Sequence, residues 1–194
     1  IAIPARILGV GPPWAMTIAG AAAGFLGAFA AFWLIGGIIG DNWYAMAASL
    51  AVFCFGTLAA GEGAALEIFF DGFSYPYFPG FRRYIPALAM PAFFAFIGLL
   101  WKLLNDRTDV EIPDSKLRHT YLTILLAIFS FAYCVFSYFY IWTTAAAFLG
   151  CVGLIWLVER PNGWKRDIKN LFIVGVGCVL VLVPYFYLLS KRTD

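Results

Sequence analysis

The chain has 194 residues, 63% of them hydrophobic, with a mean hydropathy of +0.86 and only 12% charged residues, about half the share usual in a soluble domain. One aqueous core could not hide so much apolar surface at this length, so lipid is the expected solvent for most of it. A net charge of +2 is too small to argue for nucleic acid, and the basic residues sit beside apolar spans, where lipid headgroups are the natural neighbours.

The expected fold is all-α: a polytopic membrane protein, one transmembrane domain over 1–194, with a bundle of about six helices and short loops. Residues 1–13 form a lead-in that ends in Gly11-Pro12-Pro13, a stop for any earlier helix and a start for the next. The chain opens at Ile1, which fits a processed terminus or a piece of a longer protein, and residues 1–13 lack the layout of a signal peptide. The first span covers about 14–39. It is rich in Gly and Ala, with GxxxG pairs at Gly20/Gly24 and Gly36/Gly40, and is expected to be the tightly packed helix.

Gly40-Asp41-Asn42 reads as a tight turn. The second span covers about 43–60, with an extension to 70 left open. The extended form would be about 40 Å of helix against a hydrocarbon core of about 30 Å. Either it tilts, or it breaks at Gly61-Glu62-Gly63 and continues along the interface; the break is preferred. Residues 72–85 form an aromatic loop with two prolines, expected to lie in the interface or against a partner.

The third span is about 86–104. Residues 105–118 are the one long polar segment, and Asp114-Ser115 can cap the helix that follows. Residues 119–158 are almost uninterruptedly apolar, about 60 Å as one helix, too long for a single crossing. Two spans, about 119–137 and 141–158, with a turn at Ser137–Tyr140, resolve this. Glu159 to Arg166 is a clear stop, and a sixth span follows over about 170–189. The loops 102–118 and 160–169 carry eight of the 13 Lys and Arg and the opposite side five, which puts the termini outside. Which membrane holds the chain is left open.

The four cysteines, Cys54, Cys134, Cys151 and Cys178, make no CxxC pair and read as small apolar core residues. The single histidine, His119, reads as an ordinary interfacial residue; no bis-histidine haem and no zinc site can be built on it alone.

Chemistry is expected first at Glu62, Glu67 and Asp71. A carboxylate held at membrane depth has a raised affinity for protons and suits proton relay or cation binding. At the interface the same three would pair with Arg82, Arg83 or headgroups. The bend at Gly61–Gly63 favours the interface and leaves Glu62 as the residue to test, with Arg82 and Arg83 as its counter-charges. A second patch, Tyr133, Tyr138, Tyr140 and Trp142 with Thr143 and Thr144, is either the aromatic belt around a turn or the lining of a pocket for a lipid, a quinone or a carotenoid-like molecule. No cofactor or metal is called for, and bound lipid is expected.

No nucleophile elbow, phosphate loop, HExxH or lipidation motif occurs. Three functions stay open. The first is an integral membrane subunit without a catalytic centre, packed among other membrane subunits or its own copies. The alternative is a small proton- or cation-coupled transporter or channel using Glu62 and Glu67. The last is a lipid- or isoprenoid-handling enzyme; the balance leans away from an enzyme.

Overall fold

The structure, a computed structural model, describes residues 9, 11–59, 84–105 and 113–191, and every regular element among them is an α-helix. There are six: α1 (Pro12–Ile39), α2 (Asn42–Ala59), α3 (Tyr84–Asn105), α4 (Pro113–Ser137), α5 (Phe139–Glu159) and α6 (Trp164–Ser190). All except α2 contain a stretch long and apolar enough to cross a bilayer, so the chain is a multi-pass helical membrane protein. Helices suit that solvent because each closes its backbone hydrogen bonds within itself. The chain divides into two compact units, Ile1–Pro91 and Ala92–Asp194.

In the first unit, Gly11 stands at the N-cap of α1, Pro12 opens it, and the Ala15 N–H donates to the Gly11 carbonyl at 3.0 Å. α1 ends where Gly40 turns left-handed at φ 76° and its N–H returns to the Gly36 carbonyl at 2.8 Å. The Asp41 carboxylate then accepts the N–H groups of Trp43 at 2.8 Å and Tyr44 at 3.2 Å, starting α2. The two-residue connection folds α2 back along α1. Ala23, Ala30 and Ala31 of α1 and Ala45 and Ser49 of α2 are buried. A Cβ built on Gly36 would sit 3.6 Å from Ala45 Cβ, ordinary contact at close backbone approach. The Ser49 hydroxyl spends its hydrogen bond on the Ala45 carbonyl of its own helix.

In the second unit, α4, α5 and α6 each pack against the other two. The buried residues of α4 (Ile124, Ala127, Phe131, Cys134, Val135) and of α6 (Leu171, Val174, Cys178) recur at helical spacing. Phe96 of α3 meets Phe131 with ring centroids 5.8 Å apart, and both are wholly buried. Beyond Ala145, α5 is largely exposed, with Val158 at 81%, as expected of a helix apolar on every side and bathed in lipid. Cys151 lies on that exposed side, so among the described cysteines Cys134 and Cys178 behave as the core residues expected and Cys151 does not.

Several boundaries differ from expectation. α4 starts at Pro113, so Asp114 and Ser115 stand in its first turn instead of ahead of it; proline is at home there because its missing N–H would be unpaired anyway. α6 starts at Trp164 instead of near 170, because basic side chains extend into the headgroup zone while their backbone stays helical. The break in the long apolar run falls at one residue, Tyr138, extended at φ −155° and ψ 124°. Among the described glycines the most crowded is not on α1. A Cβ on Gly177 of α6 would collide with Ile128 Cδ1 of α4 and lie 2.7 Å from its Cγ1. By contrast, among the described residues nothing lies within 4 Å of a Cβ built on Gly20 or Gly24.

Candidate functional site

Glu62, Glu67, Asp71, Arg82 and Arg83 lie outside the described residues, as do residues 72–83 of the expected aromatic loop and any continuation of α2 past Ala59; Tyr84 and Ile85, expected in that loop, instead open α3. The aromatic patch is described. Tyr138 and Tyr140 have ring centroids 5.7 Å apart, and Phe139 stands edge-on to both Tyr140 and Trp142. Trp142 also meets Phe131 and Tyr185 in edge-to-face pairs at 6.4 and 6.0 Å. Tyr133 does not join them; it faces outward. Thr143 and Thr144 both donate to the Tyr140 carbonyl, within their own helix. The Trp142 indole N–H is buried with no acceptor among the described residues. Of these rings Phe131 and Trp142 are buried, while Phe139 and Tyr140 are exposed.

The other end of the α5–α6 hairpin holds a polar arrangement. α5 is about 31 Å long at 1.5 Å per residue, close to the thickness of a hydrocarbon core, and Trp142 stands near its other end. α5 stops where Arg160 turns left-handed at φ 48° and its N–H returns to the Trp156 carbonyl at 3.2 Å. Gly163, at φ 83°, and the Trp164 N–H bond to the Pro161 carbonyl at 2.9 Å complete the reversal. Arg160 and Lys165 flank the Trp164 ring at 5.6 and 6.0 Å, a basic and aromatic cap of the kind that sits among headgroups.

Asp167 lies in the first turn of α6 and is completely buried. A carboxylate in that position is tolerated only when its charge is matched. The Trp156 indole donates to Oδ2 at 3.2 Å, and the Arg166 guanidinium approaches Oδ1 at 3.3 and 3.4 Å. The positive end of the α6 dipole adds to both. Arg166 is half exposed, so the indole bond carries the buried side of the match. Trp156 thereby ties the two helices together beneath the turn.

On its other side Trp156 lines a cavity of about 320 Å³. Trp101 forms a second indole wall, and Leu104, Ile155 and Pro161 supply apolar lining. The two remaining lining residues are polar, Asn105 and Glu159. No described cation lies within ion-pair distance of the Glu159 carboxylate. Among the described residues no three His, Cys, Asp or Glu gather as metal ligands.

Sequence reasoning passed over this end of the hairpin because it treated 159–166 as a stop and 167–169 as loop. A signal was there: Trp156 and Asp167 stand equally far on either side of the turn, and Asp167 is the one acid among Lys165, Arg166 and Lys169. No protein-family model, no curated protein and no solved structure matches the chain.

Proposed function

We propose that the chain is an integral membrane subunit that packs within a larger membrane protein assembly through α1. The small-residue stripe of α1 is the observation that carries this reading. Gly20, Gly24, Gly27 and Ala31 fall on one line of the helix at i, i+4, i+7 and i+11. Gly27 and Ala31 are buried, whereas Gly20 and Gly24 meet no described atom within 4 Å of a built Cβ. α2 is described over 18 residues and α1 over 28. In lipid no hydrophobic force draws helices together, and close backbone approach over small residues is what makes them adhere. The stripe therefore suits a further helix, from another subunit or a second copy of the chain.

The test is the mass of the full chain extracted from its own membrane in a lipid-retaining polymer. The expected result is a stoichiometric assembly heavier than the 21.4 kDa chain, lost on Gly24→Leu while far-UV helicity is kept. A solitary 21.4 kDa species, or an assembly indifferent to Gly24→Leu, overturns the reading. Transport through Glu62 and Glu67 has no described geometry in its favour.

A further inference from the structure

We propose that the cavity between the C-terminal ends of α3 and α5 binds an organic ammonium group, with Glu159 as its counter-charge and Trp101 and Trp156 as its aromatic walls. The inference concerns the second unit alone and goes beyond the assembly role proposed for α1.

Four observations converge on a cation. First, the cavity is walled by two indoles, the side chain with the strongest cation–π attraction. The Trp156 N–H is already committed to Asp167, which holds that ring in place. Second, among the described residues the one charged group lining the cavity is Glu159, whose carboxylate has no described cationic partner. Third, the remaining polar group is the Asn105 amide, whose oxygen can accept from an ammonium N–H. Fourth, Glu159 is the last residue of α5, which closes at Arg160, so the negative end of that helix dipole lies at the cavity. The described basic residues nearby are occupied elsewhere or lie outside the lining. Arg160 donates to the Leu157 carbonyl and stacks on Trp164, while Arg166 is drawn to Asp167.

Size decides between a metal ion and an organic cation. About 320 Å³ lined in part by Leu104, Ile155 and Pro161 is far too large for a bare metal ion, and is within the range of small-molecule pockets. The position, at the ends of membrane helices beside Trp164 and four exposed or half-exposed bases, suits the ammonium of a zwitterionic phospholipid headgroup. A free soluble amine such as choline carries the same chemistry.

The experiment uses the purified full chain in nanodiscs or mild detergent and reads bound lipid by native mass spectrometry. Phosphatidylcholine, phosphatidylethanolamine and phosphatidylglycerol are offered in equal amounts, and choline chloride is titrated separately by tryptophan fluorescence. Retention of the two zwitterionic lipids over phosphatidylglycerol supports a headgroup ligand. Saturable choline binding without lipid preference supports a soluble amine. In either case Glu159→Gln should weaken binding by on the order of tenfold, and Trp101→Leu by a similar factor. Glu159 is exposed, so its replacement leaves folding intact; Glu159→Lys should move the preference to phosphatidylglycerol. Equal retention of all three lipids with no choline binding overturns the proposal. So does ammonium binding that is unchanged in both Glu159→Gln and Trp101→Leu.

Discussion

Two helical hairpins in this chain solve one problem by different means. The α1–α2 hairpin and the α5–α6 hairpin each reverse the chain in a few residues, and each ends its first helix on a left-handed residue, Gly40 in one and Arg160 in the other. The first starts its return helix with a side-chain cap, Asp41, and packs helix on helix over alanine and glycine. The second has no side-chain cap at Gly163. It joins its helices through a buried carboxylate held by an indole from the opposite helix. The first therefore relies on how closely two backbones can lie, and the second on a polar bond that loses its meaning if either partner goes. Aspartate serves both: exposed at Asp41 it orders two backbone N–H groups, and buried at Asp167 it joins two helices.

The largest expected effect breaks the polar hairpin. Asp167→Ala leaves the Trp156 N–H without its acceptor and removes the match for Arg166. It should lower stability in detergent by about 2–4 kcal/mol. Reversible unfolding in a denaturing detergent measures it. A loss below about 1 kcal/mol would show that Asp167 is not what joins the helices.

The next tests whether close approach is confined to the first hairpin. Gly177→Ala drives a methyl into Ile128 and should cost about 1–3 kcal/mol. Combining it with Ile128→Ala should recover part of the loss, which a double-mutant cycle reads directly. Strict additivity of the two would mean that they are not in contact.

The smallest effect sharpens the comparison. Asp41→Ala removes an exposed cap and should cost about 1 kcal/mol, with Asp41→Asn close to neutral because an amide oxygen can accept the same N–H groups. If Asp41→Ala proves as costly as Asp167→Ala, the two aspartates do not differ as their burial implies.

The sequence by itself determined that this is a membrane protein of several helices, and roughly where most of them lie. Hydropathy reports the solvent of each segment, and the bilayer sets how long a span can be; Tyr138 and Gly40 mark their turns because local backbone geometry is a local property. Only the tertiary structure decided which polar residues are buried and what faces what. Asp167 reads in sequence as one more charge in a basic connection. It becomes a buried tie because α6 begins at Trp164 and brings it under the turn to Trp156, eleven residues earlier. Trp101, Asn105 and Glu159 come together for the same reason, since no spacing in one helix records the end of another. Gly177 and Gly24 have the same local chemistry; the position of Ile128 on a different helix makes the first a point of contact, while no described atom meets the second.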